Sequence, residues 1–132
     1  HTQVGDAALA EEYIDGRELY VGVLGNGPAE PFPPIEVDFS KLPAGKPHIM
    51  DGKAKWDETS AEYKGTESVM AESLSPELLA RVQKVAVDAY RACRVRDYGR
   101  VDLRLAPTGD IFVIEVNASC YLESSSEFAT AA

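Results

Sequence analysis

No block of basic residues occurs in this sequence: 13 lysines and arginines lie scattered among 22 aspartates and glutamates, a formal net charge of −9. A surface of that sign repels nucleic acid and anionic membranes, so neither is expected as a partner. A polyanion such as a nucleotide would have to be met by a metal ion and a few placed cations. Long apolar runs are missing too; none approaches the ~18 residues that a bilayer span needs, and no signal peptide is evident. Cysteine is scarce. Cys93 and Cys120 make no disulfide framework and fit a reducing, cytoplasmic compartment. Internal repeats and low-complexity segments are absent as well.

What is present is the composition of a globular domain, 45% hydrophobic and 27% charged over 132 residues. That length fits one domain with a core of its own, not a large two-domain enzyme. The chain enters a strand pattern almost at once, and Glu127-Phe-Ala-Thr-Ala-Ala132 reads like a helix cut short. Both ends suggest a piece of a larger protein.

Two short segments carry the clearest pattern. Arg100-Val-Asp-Leu-Arg-Leu-Ala106 and Ile111-Phe-Val-Ile-Glu-Val-Asn117 both alternate apolar and polar residues, as half-buried strands do. Pro107-Thr108-Gly109-Asp110 between them is turn-forming. A hairpin with Ala106 opposite Ile111 sets Val101 against Val116, Leu103 against Ile114 and Leu105 against Phe112. The other face then opposes Asp102 to Glu115 and Arg100 to Asn117. Like charges directly across a sheet are destabilising. A hard divalent cation such as Mg²⁺ would turn that repulsion into attraction, since Asp102, Glu115 and Asn117 offer oxygen ligands. Arg100 and Arg104 share the face and suit phosphate oxygens. The plainer reading is a solvated polar face whose arginines pair the acids. The small, polar run 117–126 that follows looks like a site loop and favours the metal.

Upstream, residues 8–14 form a candidate strand, Asp15-Gly16 is a strong hairpin turn signal, and residues 17–24 return as its partner. Pairing Ile14 with Arg17 would set Glu12 beside Leu19 and Tyr13 beside Glu18. Gly25-Asn26-Gly27-Pro28 stops that strand, three prolines hold the chain extended, and residues 35–39 make a short strand. From 40 to 72 no periodicity survives, the mark of a lid or binding loop. Lys53-Ala-Lys55-Trp56 stands out within it. Ser75-Pro76-Glu77 then announces a helix, with an N-cap, a proline at the first position and an acid in the first turn. Its apolar stripe runs through Leu78, Leu79, Val82, Val85, Ala86, Ala89 and Tyr90 to about Arg94. Asp97-Tyr98-Gly99 turns into the hairpin. The expected fold is α+β, an antiparallel sheet packed against helices.

Four side chains have two readings each. Cys120 could be a nucleophile, yet His1 and His48 are the only candidate bases and neither stands near it by motif; a small buried residue is the simpler reading. Cys93, at the end of the helix stripe, reads as core. Trp56 suits base stacking or loop anchoring, and Tyr13 suits adenine contact or packing.

The segment "GRVDLRL…GDIFVIEVNAS" resembles the metal-binding end of ATP-grasp ligases, most closely the D-alanine–D-alanine ligase branch. "EEYIDGREL" resembles the family's adenine-binding strand and following Glu, and "KAKW" its loop lysine. The four parts, "EEYIDGREL", "KAKW", "GRVD" and "EVN", come in the family's order, and the resemblance spans about residues 8–128. The resemblance implies that residues 1–132 are the C-terminal part of an ATP-grasp domain, without the N-terminal domain and glycine-rich loop. It implies an ATP- and Mg²⁺-dependent ligase (Mn²⁺ as the alternative ion) that forms a C–N bond through an acyl-phosphate in cytoplasmic peptidoglycan precursor synthesis. Its partners would be ATP and a small carboxylate or amino-acid substrate, with a homodimer as the assembly to test for the full-length protein. Glu11, Glu12, Tyr13 and Ile14 would be the adenine hinge, Glu18 would take the ribose, and Lys55 would reach the phosphates or hold the loop over them. Asp102, Glu115 and Asn117 would bind two Mg²⁺ ions, Arg100 would stabilise the transferring charge, and Ser126 would meet the substrate carboxylate. One departure stands out. Cys120-Tyr121 replace the family's Pro-Gly pair, and Tyr adopts positive φ less freely than Gly. The expected alternatives are a ligase for another amino acid, or a non-catalytic domain that binds a cation or a protein.

Overall fold

A computed structural model describes residue 5 and residues 7–132. Its elements are β1 (Arg17–Leu24), β2 (Glu30–Pro31), β3 (Ile35–Asp38), α1 (Gly52–Trp56), α2 (Ala61–Lys64), β4 (Glu67–Met70), α3 (Pro76–Ala92), β5 (Tyr98–Leu105), β6 (Ile111–Asn117) and α4 (Glu127–Ala131). The strands form one antiparallel sheet in the order β4-β3-β1-β5-β6, with β2 added beside the end of β1. The α+β expectation holds. Among the described residues, no helix is long and apolar enough to cross a membrane.

Strand alternation sorts β1 and β5 into two faces. Leu19, Val21 and Val23 join Val101, Leu103 and Leu105 on one face, where α3 lays down Val82, Ala86, Val87 and Tyr90. Each fully buried side chain of that kind contributes about 1.5–3 kcal/mol. The helix starts where its residue types require: Ser75 Oγ accepts from the Leu78 amide at 3.2 Å and Pro76 takes the first position. Across the sheet, Tyr20, Ile35, Val37, Phe39 and Ala131 form a second, smaller cluster. Gly22 is needed there, because a Cβ would stand 2.9 Å from the Phe32 ring and 3.0 Å from that of Phe128. Those two rings meet edge to face, 5.3 Å apart, and seat α4 on the sheet.

Several expectations need correction. Residues 8–14 form no strand, and Ile14 does not pair with Arg17. Both edges of β1 are already filled, by β5 and β3. Arg17 lies opposite Leu105, and its guanidinium clasps Glu36 at 2.7 and 2.6 Å. The stretch from 40 to 72 is not structureless. Asp51 caps α1, Ser60 caps α2, and β4 pairs with β3 through Ile35–Met70 and Asp38–Glu67. The β5–β6 register is as expected from Arg100–Asn117 to Asp102–Glu115, then slips by one residue. Leu103 faces Val113 and Leu105 faces Ile111, so Ile114 is the extra residue of a bulge. Tyr98 and Gly99 belong to β5 rather than to a turn, and Cys93 is exposed at the end of α3, not core.

Candidate functional site

The second face of β1 and β5 carries a row of charged and polar side chains, and they are buried: Glu18 7%, Tyr20 4%, Asp102 5% and Arg104 4% exposed. Their order along the strands explains how they coexist. Arg104 lies 3.4 Å from Glu18 Oε2, and the Tyr20 hydroxyl donates to Glu18 Oε1 at 2.7 Å. The Tyr20 ring covers the Arg100 guanidinium at 4.5 Å, and Arg100 donates to both oxygens of Asp102 at 2.8 and 2.9 Å. Asn117 Nδ2 donates to Asp102 Oδ2 at 3.2 Å. Arg104 also donates to the carbonyls of Gly16, at 3.0 Å, and His48, which ties residues before β1 and before α1 to the sheet.

Burial drives the electrostatics. Desolvation pushes the Asp102 carboxyl above its ordinary range against the pull of Arg100, and the charges of Glu115 and Glu18 push the same way. Burial works to lower the Arg100 pKa, yet the bond to Asp102 and the charges of Asp102 and Glu127 hold it above its usual value. Burial beside Glu18 also raises the Tyr20 phenol.

A cavity of about 620 Å³ opens above the Asp102 end of this row. Arg100, Glu115 and Asn117 form part of one wall, Lys55 and Trp56 of α1 part of another, and Cys120 and Tyr121 belong to the loop at its rim. Trp56 is 70% exposed. The structure thus brings Lys55, Arg100, Glu115 and Asn117 to one space, with Asp102 bonded to Arg100 and Asn117. Glu18 lies farther along the row under Tyr20. Residues 11–14 are outside the cavity lining; Glu11, Glu12 and Tyr13 are exposed and Ile14 half-buried. Tyr13 donates to Asp15 and its ring stands 5.7 Å from the Arg104 guanidinium. Ser126 is buried: its hydroxyl donates to the Tyr121 carbonyl at 3.0 Å and accepts from the Ala129 amide as the N-cap of α4. His48 stacks on Phe39 at 5.3 Å, while His1 lies outside the described residues.

The donor set suits a hard divalent cation. Glu115 and Asn117 line one space, and the Asp102 carboxylate next to them is held by Arg100 and Asn117. Among the described residues there is no group of three or more His, Cys, Asp or Glu that could hold a metal alone. Mg²⁺ needs only one or two carboxylates when phosphates and water complete its shell.

The profile of the family described as "D-ala D-ala ligase C-terminus" matches residues 2–132. The chain belongs to that family. It is 35% identical over 131 residues to the uncharacterized protein y4sG of Sinorhizobium fredii, covering 99% of this chain and 37% of that protein. It is 30% identical over 111 residues to the D-alanine–D-alanine ligase of Desulfotalea psychrophila, covering 84% of this chain and 32% of that one. The solved D-alanine–D-alanine ligase of Bacillus anthracis superposes with a TM-score of 0.65 at 26% identity, covering 92% of this chain and 35% of that structure. The chain therefore spans about a third of the length of these relatives. Its antiparallel sheet and helices are those of the ATP-grasp C-terminal subdomain of D-Ala–D-Ala ligases.

The loop from 119 to 126 holds the Cys120-Tyr121 pair at the cavity rim. Among the described residues other than glycine, positive φ occurs at Arg94 and Asp97, not at Tyr121. Tyr121 is 60% exposed at the cavity rim. Sequence reasoning missed two residues of the site. Tyr20 follows Glu18 by two on one strand, so alternation alone places both on the charged face. Glu127, which bonds Arg100 at 3.0 Å, follows an N-cap serine as an ordinary first-turn acid and carried no other signal.

Proposed function

We propose that this chain supplies the metal site and one wall of the ATP cleft in an ATP- and Mg²⁺-dependent carboxylate–amine ligase of the D-Ala–D-Ala type. The observation that carries this reading is the convergence of Glu115, Asn117, Arg100 and Lys55 on one cavity, with Asp102 bonded to Arg100 and Asn117 of that lining, within a chain of this family. Asp102, Glu115 and Asn117 would hold Mg²⁺, which when bound neutralises the phosphate charge that builds during phosphoryl transfer. Arg100 supplies a guanidinium whose face is shielded by Tyr20, suited to an acyl-phosphate or a tetrahedral oxyanion. Lys55 reaches the same space from α1 and would meet phosphate oxygens. Glu18 would bind ribose through whichever oxygen lone pairs Tyr20 and Arg104 leave, and residues 11–14 would line the adenine. For Ser126 to meet the substrate carboxylate, its hydroxyl must exchange the bond to Tyr121. Peptidoglycan precursor synthesis in the cytoplasm is the setting this reading implies.

A second reading concerns the substrate. Cys120-Tyr121 at the rim, with a tyrosine ring where the family has glycine, favours a carboxylate or amine other than D-alanine. ADP release by the complete protein across a panel of D- and L-amino acids tests both readings. Highest turnover with D-alanine pairs supports the first, and a different preferred amino acid supports the second. No ADP release with any of them contradicts both.

A further inference from the structure

We propose that Glu127 is a positioning residue for Arg100, holding its guanidinium in the cleft when Asp102 is engaged by a cation. The inference rests on the reading that Asp102, Glu115 and Asn117 form the metal site. It starts from the donors of Arg100. Nε and Nη2 both go to Asp102, and Nη1 goes to Glu127 Oε2 at 3.0 Å. A cation at Asp102 competes for those carboxylate oxygens and repels the guanidinium, so the Asp102 clasp is the one that must loosen. Glu127 lies outside the proposed ligand set. Its attraction for Arg100 survives, and the donors that Asp102 gives up become available to an oxyanion in the cavity.

Glu127 is built as a fixed point rather than a passing surface contact. The Arg100 and Glu127 side chains are only 16% and 24% exposed, so water screens the pair weakly. The second oxygen, Oε1, accepts from Ser68 Oγ on β4 at 3.2 Å, which ties the carboxylate to the far side of the sheet. The backbone that bears it is anchored on both sides: Ser126 caps α4, and Phe128 packs edge to face against Phe32 and Tyr98. With the Tyr20 ring at 4.5 Å on its face, Arg100 keeps two of its three holds when the third is taken away.

The test uses the complete protein, with Glu127→Gln and Glu127→Asp beside the wild type. Two readouts are taken: steady-state kcat and KM for ATP, and the ¹H–¹⁵N signals of the Arg100 side chain with and without Mg²⁺ and a non-hydrolysable ATP analogue. The expected result is a kcat lowered about tenfold or more in Glu127→Gln, a KM for ATP within about twofold, and recovery of most of kcat in Glu127→Asp. The Arg100 signals should persist on loading in the wild type and average out in Glu127→Gln. A kcat for Glu127→Gln within twofold of wild type, or loaded signals alike in the two proteins, overturns the proposal. Should the variant fail to fold, the wild type alone decides: loss of its Arg100 signals on loading overturns the proposal, and their persistence supports it. A wild-type protein that binds neither Mg²⁺ nor the analogue overturns the metal reading together with this one, whereas binding with indifferent variants overturns only the role of Glu127.

Discussion

The two faces of β1 and β5 are buried alike but built from opposite materials. Toward α3 lie Leu19, Val21, Val23, Val101, Leu103 and Leu105; on the opposite face lie Glu18, Tyr20, Arg100, Asp102 and Arg104. The first face is a gain for folding, because apolar area leaves water. The second is a cost that its own bonds only offset, since buried ion pairs seldom outperform apolar packing of similar volume. A chain under pressure for stability alone would have two apolar faces. The charged face is held at a cost, and part of that cost falls on Asp102, whose ionisation opposes folding because burial holds its pKa up.

Substitutions on each face should therefore fail in different ways. The largest effect expected is on activity: Asp102→Asn or Glu115→Gln in the complete protein should lower kcat by about a hundredfold or more, as loss of transition-state charge stabilisation does. The melt should stay cooperative, because Asn at 102 keeps the side-chain volume and one acceptor oxygen for Arg100, whose Nη1 stays bonded to Glu127. Circular dichroism melts beside ADP-release assays check this, and an Asp102→Asn protein that unfolds would break the comparison. Leu103→Ala, one strand position away but on the other face, should cost about 2–5 kcal/mol in a denaturant titration, with activity per folded molecule retained. Gly22→Ala sits between these cases. Its Cβ must displace the Phe32 and Phe128 rings, so a loss of about 1–3 kcal/mol is expected from the same titration. An unchanged midpoint would show that α4 is seated more loosely than the ring contacts indicate.

How much of this was legible in the sequence depended on how local each signal was. β1 begins and ends where its residues indicate, and Ser75-Pro76 starts α3 on purely local chemistry. Asp102, Glu115, Arg100 and Asn117 could be paired because the polar positions of both strands admit one register there. The turn end of the same hairpin misled. In Ile111-Phe-Val-Ile any register pairs apolar with apolar, so nothing in the pattern marks Ile114 as the bulge. Residues 8–14 precede a strong Asp-Gly turn signal, but whether they pair is decided by β3 and β5, which claim the edges of β1 from far along the chain. The short helices α1 and α2 show caps at Asp51 and Ser60 but are too brief for an apolar period. Glu127 met Arg100 through a contact 27 residues apart, and only the fold could supply that.

The central claim is that the charged end of the hairpin is a cation site that works with a nucleotide. Calorimetric titration of the complete protein with Mg²⁺, in the presence and absence of a non-hydrolysable ATP analogue, tests it most directly with Asp102→Asn as the comparison. Mg²⁺ binding should strengthen with the analogue in the wild type and be lost in the folded variant. Equal binding by the two proteins, or binding indifferent to the nucleotide, would contradict it.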